Sequence, residues 1–256
     1  MSASGGLGGR GILLLRSEAL AAGCADRLRA QGAEPVVFPV IDIRPPSDPE
    51  RLSAVIDRLD RAHLAIFISP TAVERGLAEV RTRRDWPPAL RVAAVGPGTA
   101  GALASRGFTG VIAPGSEGDS EALAELPELA ALGGRSVIIF RGEGGRQWLA
   151  DTLSARGATV EYAECYRRAR PEGGAEAVID RLRQGRLHAV CVWSGDAWDN
   201  YCAMLGGAAA LARALPVFVP HARIAKRVSV CGAQAVVAAG GEAAMIAELL
   251  RFFAKV

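Results

Sequence analysis

An α/β fold of two similar domains, each a parallel sheet flanked by helices, is predicted by three features of this 256-residue sequence. Strand-like and helix-like runs alternate along it, the pattern recurs at an offset of 125 residues, and aromatics are scarce beside abundant Ala, Leu, Val and Gly. Small helices laid on buried parallel strands suit that composition. Half of the residues are apolar and no long polar tract interrupts them, so the chain can bury a sizeable core as one large or two ordinary domains.

After a flexible Gly-rich start, GILLLR (residues 11–16) reads as a strand. A helical pattern follows through Leu20, Cys24, Leu28 and Ala30 and closes at Gly32, and PVVFPV reads as the second strand. This strand–helix–strand unit returns at SVIIFR (136–141), with a helix through Leu149 and Leu153, Gly157, and then ATVEYAEC. ADRLRAQGAE (25–34) lies over ADTLSARGAT (150–159), with Arg16 opposite Arg141. RAHLAIFISPTAVE (61–74) lies over RLHAVCVWSGDAWD (186–199), with His63 opposite His188 and Ser69 opposite Ser194. With two residues dropped, AAVGPGTAGAL lies over VFVPHARIAKR, pairing Pro97 with Pro220. A final strand-like run, VIAP at Val111 or AVVAA at Ala235, precedes the last helix of each half. The chain therefore reads as a duplication.

Two proline-flanked connectors, FPVIDIRPPSDP (38–49) and AECYRRARP (163–171), argue against a simple tandem split. They predict one domain from residues 1–38 plus 172–256, a second from 43–165, and connectors at 39–42 and 166–171 crossing together, with Tyr166 in the cleft between the domains.

A net charge of +3 is too small to mark a nucleic-acid binder, and nearly all the positive charge is arginine, the residue suited to paired recognition of carboxylate or phosphate. Five cysteines lack any C-x-x-C spacing, and the three histidines form no metal-ligand pattern with them. They read as reduced thiols of a cytoplasmic protein. The N-terminus has no positive region before an apolar core and ILLL (12–15) is too short to span a bilayer, so neither export nor a membrane is expected.

Four strand ends share one form, an apolar run that ends in a turn opening a helix: FISPTAVE at Ser69, AVGPGTAG at Gly96, CVWSGDAW at Ser194 and VFVPHARI at Pro220. Ligands of open parallel sheets bind beyond the C-terminal strand ends, where helix N-termini attract anions. Four such ends could surround a ligand with several carboxylates; for any one of them, ordinary capping by Ser69, Thr99 or Ser194 is the competing reading. FRGEGGRQW (140–148) lacks the third Gly of a dinucleotide fingerprint and the Lys of a phosphate loop, although its close backbone and Arg141 or Arg146 could hold an anion. His63 and His188 read as structural. Neither a G-x-S-x-G elbow nor a paired acid and base stands out, which argues against a conventional nucleophile. A non-catalytic two-domain binder of a small polyanion is the alternative on these residues.

The ordered set ILLLRSE, LRAQGAEPVVFPVIDI, AIFISPTAVE, VAAVGPGTAGAL, VIIFRGEGGRQWLADTLSARGATVEYAECYRR, AVCVWSGDAWDNY and VFVPHARIA resembles the uroporphyrinogen-III synthase family over nearly the whole chain. The resemblance implies two flavodoxin-like α/β domains joined by a two-stranded connector, a monomer, and no metal or organic cofactor. It implies a cyclising hydro-lyase that closes hydroxymethylbilane, a linear tetrapyrrole with carboxylate side chains, with inversion of ring D and loss of water. The family's route through an azafulvene and a spiro intermediate relies on positioning. The family's connector tyrosine falls on Tyr166, implying a hydrogen-bond or proton donor to the departing hydroxyl; packing between domains is the other role for it. Its G-x-x-T-A threonine falls on Thr99. Substrate contacts are expected at Arg16, Ser69, Thr99, Arg141, Gly142, Ser194, His221 and Arg223. The motifs SGDAW and PHAR depart from the family pattern.

Overall fold

Continuous apolar runs become strands buried on both faces. The computed structural model describes residues 6–115 and 118–255, and their strands are β1 (Gly11–Leu14), β2 (Glu34–Val37), β3 (Asp42–Arg44), β4 (Leu64–Phe67), β5 (Arg91–Ala94), β6 (Ser136–Gly142), β7 (Thr159–Ala169), β8 (Ala189–Cys191), β9 (Val217–Val219) and β10 (Ala235–Val237). They form two five-stranded sheets of order β10-β9-β8-β1-β2 and β3-β7-β6-β4-β5. Correspondingly the chain divides into two units, Met1–Asp42 with Ala169–Val256, and Ile43–Arg168.

The duplication is written into the strand registers. Ile12 lies opposite Ala189 as Val137 lies opposite Leu64, and Gly11 opposite Glu34 as Ser136 opposite Thr159, each pair parallel and each equivalence offset by 125. The order β2-β1-β8-β9-β10 therefore corresponds to β7-β6-β4-β5, extended by a single parallel bridge from Ala93 to Ile112. Both units thus have the flavodoxin-like order, entered by the chain at different strands. The expected strand at Val111 shrinks to that bridge, because Gly110 turns with φ 64° just before it and Pro114 has no N–H to donate just after.

Alternate residues feed opposite cores. In the first unit Leu13, Val190, Val217 and Val219 pack on one face, while Ile12, Leu14, Ala189, Cys191 and Phe218 pack on the other. In the second, Phe67, Val92, Ala94, Ile138 and Phe140 oppose Leu64, Ile66, Ala93, Val137 and Ile139. The helix Pro70–Arg83 lies close on this sheet at Gly76, where a Cβ would stand 2.6 Å from the Phe140 ring. Trp86, Phe67 and Phe140 continue the packing, with the two phenylalanines stacked at 4.5 Å.

Two segments differ from their sequence expectation. The first five residues of the Gly-rich start lie outside the described residues, but residues 6–10 are tied down: Leu7 is fully buried in the first unit, and its N–H donates to the Gln31 carbonyl at 3.0 Å. Leu7 supplies the apolar anchor that the surrounding glycines lack. The connectors carry strands, β3 in the first and most of β7 in the second, so Tyr166 stands within β7 rather than at the head of a linker. Among the described residues no helix is long and apolar enough to cross a membrane.

Candidate active site

Because β4 to β7 run parallel, their C-terminal ends share one edge, and this edge collects Ser69, Gly96, Thr99, Arg141, Gly142 and Tyr166. The chain leaves β4 toward β5 on one side and β6 toward β7 on the other, so the sheet's topological switch point lies between β4 and β6. Ser69 follows β4 and Gly142 ends β6, so the two flank that point. Ser69 caps the helix Pro70–Arg83 in an extended conformation, and its hydroxyl accepts from the Ala72 N–H at 3.0 Å. Gly96 caps the helix Pro97–Ala104, and Thr99 in its first turn is buried.

Tyr166 reaches the switch point across Gly142. A Cβ added at Gly142 would stand 2.7 Å from the phenol ring, so only glycine leaves the ring its path. The phenol oxygen then lies 3.3 Å from the Ser69 hydroxyl. A bulge aims the ring there: Arg141 pairs with Glu164 but Gly142 pairs with Tyr166, which leaves Cys165 as the extra residue. Cys165 and Tyr166 consequently pack in the same core, and Tyr166 is only 2% exposed. The Cys165 thiol contacts the carbonyls of Arg141 at 3.2 Å and Ala72 at 3.7 Å, and burial pushes its pKa up to about 12. It is a protonated packing group, unsuited to nucleophilic work.

The Gly-rich turn after β6 is held from both ends. Arg141 is buried, its Nε donates to the Gly142 carbonyl at 3.0 Å and one terminal nitrogen to the Arg146 carbonyl at 3.2 Å, and its guanidinium lies 4.6 Å from the Tyr162 ring centre. The guanidinium expected to meet substrate thus supports the turn from inside. Glu143 accepts from the Ser47 N–H and, at 3.0 Å, from the Ser47 hydroxyl. Sequence reasoning missed this clasp, whose only signal was one acid in a run of glycines.

In the first unit the equivalent edge holds Arg16, Ser194, His221 and Arg223. Arg16 pairs with Glu242 at 2.5 Å, donates to the Leu20 carbonyl at 3.2 Å and lies 4.4 Å from the Trp193 ring centre. Its charge is matched within the unit, through partners 226 and 177 positions away that no local pattern reveals. Ser194 caps the helix Gly195–Leu205 and accepts from the Ala197 N–H at 3.2 Å, as Ser69 does 125 residues earlier. His221 begins the helix Ala222–Val230 without a side-chain cap bond, and both His221 and Arg223 are exposed.

Strand registers correct the alignment here. Val92 pairs with Ala65 and Val217 with Val190, so the offset stays at 125 and His221, not Pro220, falls opposite the Gly96–Pro97 helix start. The counterpart of Thr99 is then Ile224, buried and without a hydroxyl. The matching prolines misled because proline suits the start of a helix at more than one position.

No group of three or more His, Cys, Asp or Glu among the described residues is placed to hold a metal ion. Each edge by itself offers helix N-termini and small residues that let backbone approach a ligand; the first unit adds exposed His221 and Arg223, and the second adds the half-buried Ser69 hydroxyl against the buried Tyr166.

Comparison with known proteins adds a family. A family model described as uroporphyrinogen-III synthase HemD matches residues 23–247. The uroporphyrinogen-III synthases of Salmonella typhimurium strain LT2 and Escherichia coli strain K12 are 37% identical over 187 residues and 32% identical over 188, each match covering 72% of this chain and 76% of the relative. Among solved structures, a mutant uroporphyrinogen III synthase from the extreme thermophile Thermus thermophilus superposes with a TM-score of 0.62 at 19% identity, over 96% of this chain and 100% of its own. Uroporphyrinogen-III synthetase from Helicobacter pylori 26695 gives 0.61 at 13% identity, over 95% and 99%. At these identities the structural likeness is one of fold, and it is to proteins of two α/β domains.

Proposed function

The chain belongs to the uroporphyrinogen-III synthase family, and on that premise we propose that it acts as a cyclising hydro-lyase, closing hydroxymethylbilane to uroporphyrinogen III with inversion of ring D. The observation that carries this reading is the family match over residues 23–247, joined to helix N-termini at the C-terminal edge of each sheet. A substrate rich in carboxylates suits such ends, whose first N–H groups lack partners and whose dipoles favour negative charge. The match favours the enzyme over a non-catalytic polyanion binder built on the same fold.

In the proposed step the C–O bond of the terminal hydroxymethyl group breaks and the hydroxyl leaves as water, taking up one proton. The freed carbon bonds to the substituted α-carbon of ring D, and the bond from that carbon to the ring C methylene breaks. The methylene re-bonds to the free α-carbon of ring D, whose C–H proton is lost and balances the one taken up by the leaving hydroxyl. Tyr166 is the proposed donor to the departing oxygen, and Ser69, hydrogen-bonded to its phenol, sets the direction of that hydroxyl. Gly142 keeps the ring's path open. Thr99 and Ser194 are read as backbone-positioning residues of the helix starts, His221 and Arg223 as groups displayed to the substrate's carboxylates. Orientation carries most of the acceleration in this scheme, since held reacting groups avoid the entropy of meeting.

Freshly generated hydroxymethylbilane given to the purified protein should yield mainly the type III isomer. Only the type I isomer, formed by unassisted closure, would sink the proposal.

A further inference from the structure

The second unit carries a cavity at the edge of its sheet opposite the candidate active site. Its volume is about 580 Å3, and it is lined by the first residues of β5, the loop before them, the C-terminal part of the helix Pro70–Arg83, and the turn 106–110 that follows the helix Pro97–Ala104. Those are the two helices whose N-termini begin at Ser69 and Gly96, so cavity and candidate active site lie at their two ends.

Its floor is aromatic. Trp86 and Phe108 meet edge to face at 5.1 Å, and the indole N–H donates to the Leu90 carbonyl at 3.4 Å, which fixes the ring's plane. Its walls are guanidinium-rich: Arg81, Arg84, Arg91 and Arg106 line it, against Asp85 as the one acid in the lining. Arg84 is answered by Asp60 at 2.9 Å and by two backbone carbonyls. Arg106 donates to the Ala102 carbonyl, a neutral partner. Among the described residues Arg81 and Arg91 are exposed and form no ion pair.

Helix C-termini concentrate negative potential and repel anions, so an anion site at this edge needs added cations. The arginines supply them. A volume in the range of small-molecule sites, an aromatic floor, and planar forks matched to carboxylate or phosphate define one ligand class. We propose that this cavity binds a planar aromatic molecule bearing anionic groups, with its ring on Trp86 and Phe108 and its acid groups on Arg81 and Arg91. The site stands apart from the catalytic edge and does not depend on the reaction proposed above.

Anilinonaphthalene sulfonate, an aromatic monoanion, is the probe for the test, with binding read by its fluorescence under tryptophan excitation. The expected result is saturable binding of one probe per chain. An Arg81→Ser, Arg91→Ser double variant should weaken it by roughly tenfold or more, the scale of losing charge-assisted contacts. Trp86→Phe should remove most of the energy transfer while the probe still binds. Both variants should melt cooperatively and keep full turnover. Added phenyl phosphate should displace the probe whereas inorganic phosphate at equal concentration should not, which separates recognition of an aromatic anion from simple charge. Equal affinity in wild type and double variant, or no saturable binding at millimolar probe, would overturn the assignment.

Discussion

Tyr166 is held by three neighbours, each fixing something different: Gly142 its path, Ser69 the position of its oxygen, and Cys165 the face on which it lies. Replacing it by phenylalanine keeps the ring and removes only the phenol oxygen, leaving the Ser69 hydroxyl its bond from the Ala72 N–H. If the phenol donates to the leaving hydroxyl, Tyr166→Phe should lower kcat roughly a hundredfold or more with KM nearly unchanged, the usual scale of general-acid assistance. A kcat equal to wild type in steady-state assays would leave Tyr166 as a packing residue, the role its 2% exposure also fits. Arg141 shows the same tension. The sequence marks it as an anion contact by its place in a Gly-rich turn, yet its guanidinium is occupied by two carbonyls of that turn and by Tyr162.

Among the helices, the duplication supplies its own control. Ser69 and Ser194 cap equivalent helices 125 residues apart with the same bond to the third residue on, but only Ser69 also meets a tyrosine hydroxyl. Each serine replaced by alanine should cost about 1 kcal/mol in urea unfolding, the usual worth of an N-cap. Ser69→Ala should cost further, because it strands the buried Tyr166 hydroxyl, and pairing it with Tyr166→Phe should recover that excess. Identical losses for the two single variants, with no coupling to Tyr166, would mean the contact at 3.3 Å contributes nothing. This element-level equivalence was legible in the sequence from matched serines. Thr99 and Ile224 were not, since the paired prolines pulled the alignment off by two residues and only strand registers restored it.

On the scale of the molecule, the second unit is continuous in sequence, Ile43–Arg168, and has its own sheet with a core on each face. A fragment of residues 43–168 should therefore fold alone and unfold cooperatively in a calorimeter, at a size well within the range of single domains. A non-cooperative melt would show that its cores need the remainder of the chain. The first unit is assembled from both ends of the chain, and no single fragment reproduces it. Alternating apolar runs, the helix stops and the repeat were readable because side-chain period and burial are local consequences of backbone geometry. The two parallel-dominated sheets, the equivalence of their strands and the serine caps follow from those local patterns. Which way Tyr166 points does not, because one extra residue opposite Gly142 reverses the facing of everything after it, and a bulge has no signature in the alternation of ECYRR. The Ser47–Glu143 clasp and the arginine-walled cavity likewise join residues of separate elements. Their positions depend on how strands and helices pack, and that is set by the sum of many weak contacts rather than by any neighbour along the chain.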